Sequence, residues 1–171
     1  MTEKTEKIEK KVCMLGAFAV GKTSLVARFV AGIFSEKYQT TIGVKIDRRT
    51  LSVAGREVGL LLWDIYGEDD FQKLRLSYLR GAGGYLLVAD GTRRATLDRA
   101  VLLQQSVEAH LGPLPFVLVL NKADLAGDWE LEDEAIAGLA ARGWAIIRGS
   151  AKTGAGVAEA FRALAERMIS E

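Results

Sequence analysis

The 171-residue chain is 49% hydrophobic, enough for one domain with a substantial core and too apolar for a disordered chain. Its 23 basic and 22 acidic residues nearly cancel, which removes the usual electrostatic reason to expect nucleic acid as a partner. Cys13 is the single cysteine, so no internal disulfide can form and a reducing, cytoplasmic setting is the default.

Residues 1–10 alternate Lys and Glu with Thr and are expected to form a flexible charged tail ahead of one domain over 11–171. The tail lacks an apolar h-region, so it is no secretory signal, and Thr2 excludes N-myristoylation. Strands are expected at 12–15, 44–53, 57–63, 84–89, 116–120 and 144–147. Cys13 falls inside the first as a buried, inert thiol. The second and third flank Ala54-Gly55-Arg56, a turn that suggests an antiparallel hairpin. The longer links suit crossover helices: one carries Leu131, Ala135 and Leu139 on one face, another Val157, Phe161, Leu164 and Met168. The expected fold is α/β, a mostly parallel six-stranded sheet with one antiparallel strand and helices on both faces. No run of about 18 apolar residues is present to span a membrane, and the end of the chain shows neither cysteine nor basic cluster for a lipid anchor. His110, the only histidine, is expected at a helix end in a surface or capping role, and Trp129 and Trp144 as packing residues.

Gly16-Ala-Phe-Ala-Val-Gly21-Lys22-Thr23 matches G-x-x-x-x-G-K-S/T directly after an apolar strand and at the opening of a helix, the pattern of a P-loop NTPase. The chemistry requires that context. The loop aims backbone N–H groups inward, and the helix N-terminus adds partial positive charge. Gly16, Ala19, Val20 and Gly21 are the expected cradle, with Ser24 behind them. Lys22 would reach the β- and γ-phosphates and Thr23 would offer a hydroxyl to Mg²⁺. The loop alone does not name the base.

Two further segments do. Asn121-Lys122-Ala123-Asp124 and Ser150-Ala151-Lys152 each follow a strand, at the sheet edge where ligands of such folds bind. The Asp124 carboxylate can accept from guanine's ring N–H and exocyclic amine. Adenine has no such donor pair and would leave a polar group unmatched.

With these motifs the chain resembles the small GTPases of the Ras superfamily, and within them the Rab-like branch, from Lys11 to about Met168. Tyr38-Gln-Thr-Thr41-Ile-Gly43, Trp63-Asp64 and Tyr78-Leu-Arg-Gly81-Ala82 carry the Rab-like character. The resemblance implies that Thr41 caps Mg²⁺ when the γ-phosphate is present, that Asp64 orients the metal's waters, and that Gly67 donates to the γ-phosphate. It further implies that Asn121 ties the base loop to the phosphate loop, Lys122 lies over guanine, Ala151 N–H meets its O6, and Phe34 packs on the other face. It implies effector, exchange and activating proteins as partners, met through switch segments 34–44 and 64–80.

The departures from the family surround the γ-phosphate. Phe18 stands where many relatives carry a small residue, and Ile65-Tyr66 replaces Thr-Ala before Gly67. Glu68 takes the place of the Gln that positions the attacking water. Gln both accepts and donates, whereas ionised Glu only accepts and brings like charge to the phosphates. The expectation is a GTP/GDP switch with slow hydrolysis, acting as a cytoplasmic monomer. The competing readings are a GTP-binding adaptor with negligible hydrolysis because of Phe18, Tyr66 and Glu68, and a P-loop kinase, which the guanine-reading segments oppose. The missing lipid tail and the missing Gln suggest a divergent member of prokaryotic type.

Overall fold

The protein, as a computed structural model, is described over residues 7–32, 43–66 and 76–170. Six strands, β1 (Lys7–Gly16), β2 (Gly43–Val53), β3 (Arg56–Tyr66), β4 (Gly84–Asp90), β5 (Phe116–Asn121) and β6 (Ile146–Arg148), form one sheet. Their order is β2-β3-β1-β4-β5-β6, and only the β2–β3 pair is antiparallel. Four α-helices accompany them among the described residues: α1 (Lys22–Ala31), α2 (Arg94–Leu111), α3 (Asp133–Ala141) and α4 (Val157–Ile169). This is the α/β architecture expected from the sequence.

The central strands read as continuous apolar runs because helices cover both faces of the sheet. Along β1, Val12 and Met14 enter one core with α1 and α4, while Cys13 and Leu15 enter the other with α2. Every residue of β4 is buried. Phe29 of α1 stacks on Phe161 of α4 with ring centroids 4.0 Å apart, which locks the two helices over the first core. Burial pushes the Cys13 thiol up to about 11, so it is the inert group that its apolar surroundings predicted.

The β2–β3 hairpin turns at Ala54 and Gly55, with φ of 51° and 76°, and the register closes at Val53 opposite Arg56. Positive φ at both central positions is the type I′ geometry that matches strand twist.

Three expectations need correction. Lys7–Lys10, read as part of a loose tail, are strand residues paired in parallel with Glu57–Leu60. β2 takes one edge of β3, so the other edge along Glu57–Leu60 is open to backbone pairing, which does not require apolar side chains in the added strand. Arg48 also forms an ion pair with Glu9 on this extension. Leu131 is buried but precedes α3, which begins at Asp133, so it packs from the approach to the helix. Trp144 lies ahead of β6, in the turn leaving α3, where its N–H bonds to Leu139 O. Its ring nevertheless packs as expected, edge-on to Phe116 at 5.0 Å. His110 is exposed at the end of α2, its Nδ1–H donating to the Ser106 carbonyl at 2.8 Å. No helix among the described residues is long and apolar enough to cross a membrane.

Candidate functional site

Strand order reverses direction at β1: the next strands in sequence go to one side, and β4, β5 and β6 to the other. The crevice beyond the carboxyl ends of β1 and β4 is therefore the topological switch point, where open α/β sheets bind ligands. The phosphate-type loop leaves β1 into this crevice, and the two base-type segments leave β5 and β6 beside it.

The loop geometry depends on two glycines. A Cβ on Gly16 would sit 2.5 Å from the Val88 carbonyl, so β1 can approach β4 only without a side chain there. Gly21 has φ of 104° and caps α1, and a Cβ on it would collide with the Asn121 amide. Among the described residues no side chain caps α1, and its first turn carries no acidic residue, so the helix N-terminus opens on the loop. Lys22 is buried, its Nζ donating to the Gly16 carbonyl at 2.9 Å across the loop. Val20 is fully buried behind it, and Ser24 is half-buried on α1.

Thr23 Oγ1 donates to Asp64 Oδ2 at 2.6 Å, bringing a hydroxyl from α1 against a carboxylate from β3. Two hard oxygen donors beside a phosphate loop fit Mg²⁺, which takes few protein ligands and completes its octahedron with water and phosphate oxygens.

Side chains of the base-type segments join them to this loop. Asn121, 2% exposed, donates from Nδ2 to the Val20 carbonyl at 2.9 Å and accepts at Oδ1 from Ala151 N–H at 3.2 Å. Lys122 has φ of 68° and sends Nζ to the Ala19 carbonyl at 3.3 Å. Asp124 is exposed at the mouth of the crevice, where Ser150 Oγ donates to its Oδ1 at 2.7 Å. Ser150 Oγ in turn accepts from Thr153 N–H at 3.1 Å, and Lys152 lies exposed in the same turn. An oriented carboxylate opening to solvent suits a ligand that presents paired N–H donors.

The structure thus brings together Gly16, Ala19, Val20, Gly21, Lys22, Thr23, Ser24, Asp64, Asn121, Lys122, Asp124, Ser150, Ala151 and Lys152. Phe34, Thr41, Gly67 and Glu68 lie outside the described residues, as do most of segments 34–44 and 64–80.

Three residues of the site escaped sequence reasoning. Arg28 of α1 donates from Nε to the Ala151 carbonyl at 2.8 Å and from Nη2 to the Lys152 carbonyl, bracing the third segment. Asp90 ends β4 fully buried, with Lys122 Nζ 2.8 Å and Arg93 Nε 3.0 Å from its Oδ2. Burial pushes the Asp90 carboxyl up, but hydrogen bonds from Lys122, Thr92 and Arg93 outweigh it and hold it below the usual carboxylate value. None of these residues belongs to a short motif. A buried acid at a strand end was the only local hint.

Comparison with known proteins agrees with this geometry. The Ras family model matches residues 11–170. The chain is 34% identical over 161 residues to the Ras-related protein Rab-18 of Lymnaea stagnalis, covering 93% of this chain and 80% of that one. With the phosphate and base segments converging at the switch point and both matches spanning nearly the whole chain, it belongs to the Ras family and is a Rab-like small GTPase.

Proposed function

We propose that this chain holds GTP or GDP with Mg²⁺ in the crevice, orders segments 34–44 and 64–80 around the γ-phosphate, and hydrolyses GTP slowly. The observation that carries the reading is Asn121, whose two hydrogen bonds unite the phosphate loop with the third segment into one site beside Asp124. The loop N–H groups and the Lys22 ammonium would bind the phosphates, with Lys22 exchanging the Gly16 carbonyl for phosphate oxygen. Asp124 would read guanine, Ala151 N–H would meet its O6, and Lys122 and Phe34 would pack on its faces. Thr23, Thr41 and Asp64 would hold Mg²⁺, which when bound neutralises phosphate charge. Gly67 would donate to the γ-phosphate.

Slow turnover follows from Glu68, which can accept from water but cannot donate to the phosphoryl group and repels it when ionised. Phe18 adds bulk where an activating protein would deliver an arginine. These same residues favour the second reading, a nucleotide-loaded adaptor with negligible hydrolysis. Effector, exchange and activating proteins would engage the two switch segments of a cytoplasmic monomer.

The deciding experiment is identification by mass spectrometry of the nucleotide that copurifies, followed by GDP and ADP affinities. GDP should be retained and bound far more tightly. Equal affinity for ADP would remove the assignment.

A further inference from the structure

Asp90, which lies in none of the nucleotide motifs, gathers contacts that reach two of them. Its Oδ1 accepts from Thr92 N–H at 2.9 Å and Thr92 Oγ1 at 2.7 Å, while Oδ2 faces both Lys122 Nζ and Arg93 Nε. Each of these cations also grips the phosphate loop: Lys122 at the Ala19 carbonyl, 3.3 Å away, and Arg93 through Nη2 at the Phe18 carbonyl, 2.9 Å away. Two successive loop carbonyls are therefore held by the partners of one buried carboxylate. The turn that carries Arg93 is itself fixed, with Arg93 N–H on the Asp90 carbonyl at 3.0 Å and Thr96 Oγ1 accepting from Asp90 N–H at 2.8 Å.

A planar trans peptide points its C=O and N–H in opposite directions. Holding the Phe18 carbonyl against Arg93 therefore turns the Ala19 N–H away from the Asp90 cluster. Holding the Ala19 carbonyl against Lys122 does the same for Val20 N–H. Ala19 sits at φ 61°, a left-handed conformation that is unfavourable for a residue with a Cβ, so the loop shape needs an external hold. A guanidinium suits the task because its planar fork can engage the carboxylate and the carbonyl together.

We propose that Arg93 is a positioning residue for the phosphate chain: anchored on Asp90, it pins the Phe18 carbonyl and so presents the Ala19 N–H to a nucleotide phosphate. The inference rests on the nucleotide-binding reading above. Lys122 shares its role with the base, whereas among the described residues the Arg93 side chain bonds to Asp90 and the phosphate loop, so its loss should be felt by the phosphates and not by the base.

The test is release of a fluorescent GDP analogue from the unaltered protein and from Arg93→Ala, with GDP and IDP affinities measured by competition. IDP lacks guanine's exocyclic amine, so the GDP-to-IDP ratio reports base recognition alone. Arg93→Ala should release the analogue about tenfold faster, about 1.4 kcal/mol, with the GDP-to-IDP ratio unchanged. Arg93→Gln, which loses the charge and the fork, carries the same test if the alanine variant fails to fold. Unchanged release would overturn the proposal, as would a ratio that collapses along with affinity, since that pattern marks general loosening of the site. Failure of the unaltered protein to bind GDP would instead sink the nucleotide reading, and this inference with it.

Discussion

Replacing Asn121 by Ala removes both hydrogen bonds that join the phosphate loop to the third segment. The side chain is 2% exposed, and its partners, the Val20 carbonyl and Ala151 N–H, are both in buried residues. Leaving a buried backbone group unpaired costs about 1–3 kcal/mol, so two such groups set a range of about 2–6 kcal/mol. The void would open beside Gly21, which has no side chain, so water can reach the orphaned groups and about 2–4 kcal/mol is the expected loss. A domain of this size is stable by about 5–15 kcal/mol, so the effect should be plain. The assay is urea unfolding followed by circular dichroism at fixed GDP and Mg²⁺ concentration, because ligand binding itself shifts the midpoint. A fall in midpoint with little change in slope is expected, together with faster GDP release. A loss under about 1 kcal/mol would refute the idea that this side chain holds the site together.

Asp124→Asn should weaken GDP binding about a hundredfold, two charge-assisted hydrogen bonds being altered, and shift preference towards xanthine nucleotides. Competition with XDP checks this, and unaltered GDP affinity would place base recognition elsewhere. Glu68→Gln should speed single-turnover GTP hydrolysis at saturating Mg²⁺ by about tenfold or more, since it restores a donor and removes like charge. A slower variant would make Glu68 an active participant. Asp90 has a folded pKa below its unfolded value, so its contribution to stability is fully present at neutral pH. That contribution should decline only as pH falls below the unfolded value of about 3.9 towards the depressed folded one. The stability difference between the unaltered protein and Asp90→Asn, followed by urea unfolding across pH, should track that window, and its disappearance well above it would contradict the ion-pair assignment.

The phosphate loop, the guanine-type segments and the six strands were legible in the sequence because each is encoded locally. Gly21-Lys22-Thr23 must be contiguous to wrap a phosphate, and a doubly covered strand such as β4 is apolar at nearly every position. Asn121 and Asp124 were readable for the same reason, as neighbours on one turn. The start of β1 was not, because Ile8 is the one apolar residue among Lys7–Lys10 and the segment is held by backbone pairing and the Glu9–Arg48 ion pair with a hairpin distant in sequence. Arg28, Asp90 and Arg93 stayed invisible for a related reason. Arg93 meets the Phe18 carbonyl across 75 residues and Arg28 meets Ala151 across 123, so their roles exist only once the strand order brings the ends of β1, β4, β5 and β6 to one crevice. The sequence by itself determined which chemical groups are present and that the fold is α/β. Tertiary structure alone decided which of the many surface arginines are braced on the nucleotide loops, because a charge acquires such a role from what it is packed against and not from its neighbours in the chain.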